Sequence, residues 1–302
     1  MKYNVRSQYS EAISKIILCE LNQSELNHVF RVALQLEDVS IMHSLMQELL
    51  RRQNDDGGWP YKLNGLSVIG ITATAVQLIF WTIYIAAPQL SAGTKNSYEI
   101  RIKKALSYIF SKKRKAVFWD VEQDNERKHG VLDSNHYISQ ALYYANNYEK
   151  ELFDKELVLQ TQIDLYKFYL EQQSKADGGW HEIGKLRLRV GVTSDAIRAL
   201  LPNPKLKSSI MAGIQFLINN QHPIEGYWEG GNLDKIYDAL KTLINSYWII
   251  DAKLDAFSAI EKGITYLDGA SHLELESLCD YWSVIIDYNN LVSSPNKEKL
   301  FF

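Results

Sequence analysis

Three segments of the 302-residue chain share a Gln followed, four or five residues later, by Gly, one residue and Trp: Gln53-NDD-Gly57-Gly58-Trp59, Gln173-SKAD-Gly178-Gly179-Trp180 and Gln221-HPIE-Gly226-Tyr227-Trp228. A degenerate fourth copy ends at Trp119, in RKAVFWD. Successive Trp positions are 60, 61 and 48 residues apart, an interval that holds two helices and their loops. A period of this kind restricts the chain to architectures built from one supersecondary unit repeated, each unit burying its apolar face on the next.

The flanking residues identify the unit. Before the turns, Lys104-ALSYI, Ala212-GIQFL and Lys262-GITYL repeat a small, aliphatic, any, aromatic, aliphatic pattern that reads as the second half of a helix. After them, Ile71-TATAVQLI, Ser134-NHYISQAL and Val192-TSDAIRAL align as a second helix, with Thr72, Asn135 and Thr193 in one column. Thr and Asn there fit helix starts, where a side-chain oxygen accepts an orphan backbone N–H. The predicted pairs are 38–52 with 68–87, 98–111 with 132–147, 153–173 with 191–201, 206–220 with 234–251, and 254–267 with 273–289; 8–20 with 24–35 makes a sixth. First helices are amphipathic and second helices can be poorer in charge, which implies an outer ring around an inner one. With no Pro- or Ser-rich linker, 1–302 reads as one all-α domain, an α/α toroid of five to six hairpins with repeats over about 40–290.

Lys plus Arg total 33 and Asp plus Glu 36, a net charge of −3, so no electrostatic footprint for nucleic acid exists. Cys19 and Cys279 cannot form a disulfide scaffold and read as reduced, buried residues. Glu11, Lys15 and Glu20 interrupt the first apolar stretch, which excludes a secretory signal there and makes the cytoplasm the expected location. Ser67–Ala87 is uncharged and about as long as a membrane span, yet the corresponding repeat segments are polar, so a fully buried core helix is expected.

The Gln, Gly, any, Trp motif after an aromatic-aliphatic helix end resembles the QW repeat of squalene and oxidosqualene cyclases, whose general toroid is shared by protein prenyltransferase β subunits and complement-type thioester domains. The resemblance covers about residues 40–290 and implies a central cavity whose chemistry sits where the inner helices begin. The Gln, Gly and Trp themselves have a structural part: Gly57, Gly178 and Gly226 can take the positive φ of a helix C-terminus, and Gln and Trp can tie outer helices together.

The inner-helix starts supply the candidates. Aligned on Ala141-Leu142, Asp133 takes the place of the central acid in the Asp-x-Asp-Asp-Thr-Ala motif of class II terpenoid cyclases. Val131, Ser134, Asn135 and His136 stand where that motif has Asp, Asp, Thr and Ala, nearer the Val-x-Asp-Cys-Thr-Ala form of the oxidosqualene cyclases. Alkene or epoxide protonation needs a carboxylic acid kept protonated and made strongly acidic by hydrogen bonds to its conjugate base; Asp133, helped by Ser134 or His136, fits that task, while a plain N-cap is the structural alternative. Thr72, Asn135, Tyr137, Thr193, Asp195, Tyr237 and Asp238 are the expected substrate-contacting residues, with Ser194 beside them. Aromatic residues at Trp81, Tyr84, Tyr137, Tyr143, Tyr237, Tyr247, Trp248, Tyr281 and Trp282 would stabilise carbocations by cation–π attraction.

No metal site is expected. Cys279-Asp280 near His272 has the wrong spacing for the zinc pattern of prenyltransferases and reads as a buried Cys beside a surface Asp. No DDxxD-like sequence is present, so no cofactor is expected, and Mg²⁺ enters only with a bound diphosphate. Asp55-Asp56 reads as a solvated outer turn. The basic run Arg101–Lys115 is a solvated helix face or a contact for anionic headgroups. Two functions follow: a cyclase-like enzyme acting on an isoprenoid or other apolar small molecule, or a non-catalytic toroid that binds a protein or lipid.

Overall fold

The computed structural model describes residues 4–113, 131–181, 189–250, 255–272 and 274–293; for Val131, Leu132, Asp133 and Ser134 only the backbone is described. The degenerate copy at Trp119 lies outside these residues. Among them are twelve α-helices: α1 (Val5–Ile13), α2 (Gln23–Gln35), α3 (Val39–Arg51), α4 (Ile69–Ala86), α5 (Ala92–Ser111), α6 (Val131–Asn147), α7 (Lys155–Gln172), α8 (Val190–Leu200), α9 (Lys207–Asn219), α10 (Leu233–Ser246), α11 (Ala256–Asp268) and α12 (Leu275–Ser293). All six expected hairpins are present, with ends shifted by a few residues. The largest shift is at α1, expected to reach 20 but ending at Ile13; α5 starts earlier than expected, at Ala92, and α10 stops at Ser246 and hands Tyr247–Ile249 to a 3₁₀ turn.

The residues group into two compact units, Arg6–Leu165 and the chain from Tyr166 onward. In the first, α4 packs against α6, α5, α2 and α3. In the second, α10 packs against α8, α12 and α11, with α9 against α8. The second helices of the hairpins are thus the buried ones. Every residue of α8 is buried, and α4 is long and apolar enough to cross a membrane but 78% of its span is buried inside the protein, as a core helix is.

The repeated turns explain themselves atom by atom. Gln53 Nε2 donates to Gly57 O in its own turn (2.8 Å) and to Arg101 O on α5 (3.1 Å). Gln173 makes the same pair with Gly178 O (2.7 Å) and Ser209 O on α9 (2.8 Å), and Gln221 with Gly226 O and Ala259 O on α11 (both 2.8 Å). Each Trp turns back instead: Trp59, Trp180 and Trp228 donate Nε1–H to Leu49 O, Tyr169 O and Leu217 O on the helix just finished, all at 2.7 Å. One residue pair therefore fastens each turn both backward and forward.

The glycines sit in the loops rather than at the helix ends, with φ of +90°, +78° and +79° at Gly57, Gly178 and Gly226. A Cβ at these positions would lie 2.4, 2.5 and 2.5 Å from the carbonyl oxygens of Lys104, Ala212 and Lys262, the residues that open the repeated small-aliphatic-aromatic pattern. Gly178→Ala is expected to lose about 2–3 kcal/mol, from left-handed strain and the backbone clash together. Thermal unfolding followed by circular dichroism checks it; an unchanged melting temperature would remove the close approach from the account.

Two smaller expectations need correction. Cys19 is exposed, and only Cys279 is buried. Thr72 and Thr193 are not caps: each is the fourth residue of its helix, and its Oγ1 accepts the backbone N–H of Trp59 or Trp180, at 2.9 Å in both cases. The repeat uses this hydroxyl to dock the turn on the inner helix, which a cap on the helix's own amides would not do.

Candidate functional site

Asp133 is the third helical residue of α6. It therefore lies inside the first turn rather than at an N-cap, where a carboxylate still meets the positive end of the helix dipole. The side chains of Asp133 and Ser134 lie outside the described residues. Asn135 is fully buried, and among the described residues neither its Oδ1 nor its Nδ2 has a hydrogen-bond partner; the equivalent Thr72 and Thr193 each receive a Trp amide. His136 is buried with its ring 3.7 Å from that of Tyr137, and Tyr137 O accepts from Gln77 Nε2 of α4 at 2.8 Å, which fixes α6 against α4.

In the second unit α8, α10 and α12 carry a network of charges. Arg198 is a buried residue of α8, and its Nη2 donates to Asp195 Oδ1 one turn earlier and to Asp238 Oδ1 of α10 at 3.0 Å. Lys235 Nζ approaches Asp238 Oδ2 at 3.5 Å, and Lys241 of α10 pairs with Asp280 of α12. Asp280 is therefore an ion-pair partner with a largely covered side chain, not the surface acid expected beside Cys279. Asp195 and Asp238 are each the sixth residue of their helix. Engaged by a guanidinium, they anchor α8 to α10 and are poor candidates for proton donors.

Arg198→Met leaves the Asp195 carboxylate buried without its cation, and a loss of roughly 3 kcal/mol is expected. Denaturant unfolding measures it, and Asp195→Leu combined with Arg198→Met should recover most of the loss. A single variant as stable as the parent would show that the pair contributes nothing.

Tyr237 is 2% exposed and its hydroxyl is held on both sides. His272 Nε2 lies 3.0 Å from Leu267 O; a carbonyl only accepts, so Nε2 bears the proton and Nδ1 accepts from Tyr237 Oη–H at 2.6 Å. Ser277 Oγ–H then donates to Tyr237 Oη at 3.0 Å. Burial pushes the Tyr237 phenol well above its ordinary range. Tyr281 stacks on His272, with ring centroids 4.4 Å apart, and is itself pushed up to about 12, by burial first and Asp268 next. Burial, with the neighbouring carboxylates Asp238 and Asp280, raises Asp234 above the usual aspartate value. Glu229, at φ +45°, accepts the first amide of α8 from Val190 at 2.8 Å and so supplies a cap that Arg189 does not.

The aromatic residues divide. Phe80 and Trp81 of α4 meet Tyr144 of α6 with centroids 6.0 and 6.3 Å apart, and Tyr143 stacks edge-on against Tyr144. Trp81 lies twelve residues beyond Ile69, about 18 Å along the helix from its first turn. Tyr84 is 70% exposed and faces solvent, against expectation, because it falls in the last turn of α4 where no neighbour covers it.

Arg198, Lys235, Lys241, Asp234 and Glu229 had not been singled out from the sequence. A signal was available for Arg198: it stands one turn from Asp195 in a helix otherwise free of charge. Lys241 and Glu229 have partners 39 residues away in the chain, and no local pattern marks them. Among the described residues, no group of three or more His, Cys, Asp or Glu could hold a metal ion.

No family model matches the sequence, and no curated protein matches it either. Solved structures do. The type II terpene cyclase MstE from Scytonema is similar over 95% of this chain and 98% of that one, with a TM-score of 0.64 at 10% identity. The ent-copalyl diphosphate synthase from Streptomyces platensis has a TM-score of 0.63 at 12% identity over 88% of this chain, which spans half the length of that enzyme. A GH76 α-mannanase from Bacteroides thetaiotaomicron has a TM-score of 0.57 at 12% identity, over 96% of this chain and 98% of that one. Likeness at such identities speaks for fold and not for reaction: the chain is all-α, an α/α toroid of the kind that type II terpene cyclases have.

Proposed function

We propose that the protein is a terpenoid cyclase-like enzyme that takes an isoprenoid substrate and starts its cyclisation by protonation, with Asp133 as general acid and Ser134 and His136 beside it. The observation that carries this reading is the place of Asp133, within the first turn of a buried second helix and aligned with the acid of the class II motif. Among the acids of the candidate set, Asp195 and Asp238 are taken up by Arg198, which leaves the proton-donor role to Asp133. The aromatic cluster around Tyr144, about 18 Å along α4 from its start, suits the far end of an extended prenyl chain, where ring faces stabilise developing cations. A variant of MstE has been solved with geranylgeranyl dihydroxybenzoate as substrate, a prenyl chain on a polar head, and this supports an apolar small molecule here.

The expected contact residues divide by unit: Thr72, Asn135 and Tyr137 accompany Asp133 in the first, and Thr193, Asp195, Tyr237 and Asp238 belong to the second, Tyr237 as a phenol fixed in direction by His272 and Ser277. The chemistry asked of these residues is positioning, proton delivery and exclusion of water; no cofactor takes part, and Mg²⁺ enters only with a diphosphate-bearing substrate. The charge network favours a second reading, a non-catalytic toroid that binds a protein or lipid, because ion pairs between helices also hold a scaffold rigid. Incubation of the purified protein with prenyl diphosphates of increasing length, squalene and epoxysqualene, followed by mass spectrometry, separates them. Consumption of any one to a cyclised product supports the enzyme, and recovery of all unchanged rejects it.

A further inference from the structure

The turn of the first repeat ends in a β-hairpin, with Trp59–Pro60 paired antiparallel to Ser67–Val68. Its tip, Lys62-Leu63-Asn64-Gly65-Leu66, is exposed throughout, and it turns at Asn64 in the left-handed region (φ +62°). Leu63 is 47% and Leu66 74% exposed. Two leucines on a tip of five residues are an unusual use of a solvent-facing loop, because nothing in the fold requires apolar side chains there.

The hairpin is held rigidly. Asn54 Nδ2 donates to Gly65 O (3.1 Å) and to Ser67 Oγ (2.9 Å), Ser67 Oγ–H donates to Asp56 Oδ1 (2.7 Å), and Tyr108 Oη–H of α5 donates to Ser67 O (2.7 Å). These bonds set the tip beside the second half of α5. There Lys104 O meets Gly57 and Lys112 Nζ lies 5.5 Å from the Tyr108 ring centroid. Lys103, Lys104 and Lys112 are exposed, as is Lys62 at the tip itself, against the exposed acids Asp55 and Asp56 of the turn. Two leucines, four lysines and two aspartates are thus exposed on this hairpin, its turn and the adjoining stretch of α5, a local excess of positive charge beside an apolar tip on a chain whose net charge is −3.

We infer that this hairpin and the adjoining face of α5 form a docking surface for an anionic lipid bilayer, Leu63 and Leu66 entering the headgroup–acyl boundary and the lysines meeting the anionic headgroups. The chemistry is that of interfacial binding, in which a small buried apolar area and several cations act together and neither suffices alone. It does not depend on the proposed reaction: a protein that binds vesicles and turns over nothing, or the reverse, leaves each statement to its own test.

The experiment is co-sedimentation of the full chain with vesicles of phosphatidylcholine, with and without about one quarter phosphatidylglycerol, at about 0.1 M and about 0.5 M NaCl. Binding is expected on the anionic vesicles only, weakened at the higher salt, by about fivefold for each of Lys103 and Lys104 replaced by Gln, and tenfold or more by Leu63→Asp with Leu66→Asp. The replaced side chains are exposed, so melting temperatures should not move. Leu66→Trp gives a second reading through a blue shift of its emission on anionic vesicles. Equal partition onto neutral and anionic vesicles, indifference to the leucine or lysine variants, or no vesicle binding at all overturns the inference; in the last case the exposed leucines would point to a protein partner.

Discussion

Asp133→Asn is expected to abolish turnover of whichever isoprenoid the protein consumes, by a factor of about 10² to 10⁴, the usual contribution of a positioned general acid. The amide keeps the shape of the carboxyl and its place in the first turn of α6, so folding should be little affected and the melting temperature should stay within a few degrees. The pairing of results is what discriminates. Lost turnover with an intact fold assigns the acid; retained turnover rejects it, since no other side chain in the aligned column can protonate an alkene or epoxide. Ser134→Ala should give a smaller loss, because a neighbouring hydroxyl acts only by stabilising the conjugate base.

Trp180→Ala should cost about 4 kcal/mol of stability. The ring is fully buried, its edge lies against Gly213 of α9, and its Nε1–H satisfies Tyr169 O at the end of α7. Truncation opens a cavity between two helices and leaves a buried carbonyl unpaired, two separate costs at one position. Trp180→Phe keeps most of the volume and loses only the hydrogen bond, so it should lose about 1–2 kcal/mol. Chemical denaturation of the two variants measures the difference. If Ala and Phe are equally harmful, the hydrogen bond and not the packing holds the turn.

The repeat made the fold legible because the same physical problem recurs at each turn. A carbonyl at the end of an outer helix, a backbone that must pass close to the next helix, and a turn that must be fastened on both sides select Trp, Gly and Gln in the same order three times. Thr72 and Thr193 were visible as a column, but their partner was misjudged: a hydroxyl near a helix start can serve the helix or the preceding turn, and only the path of that turn decides. Tyr84 falls on an inner helix and so reads as a cavity aromatic, yet it is exposed, because the last turn of a helix can run past its neighbours. Asp280 reads as a surface acid, since its cation, Lys241, comes from a different helix.

Taken alone, the order of residues determined the all-α class, the six hairpins and the turns that punctuate them, since these follow from contacts within one repeat and its successor. Tertiary structure alone decided which charges are spent on each other. Arg198 and Asp238, and likewise Lys241 and Asp280, meet only because α10 packs against α8 and α12. Coulomb attraction acts over a few ångströms between groups about 40 residues apart in the chain, and spacing along the sequence has no measure of that distance.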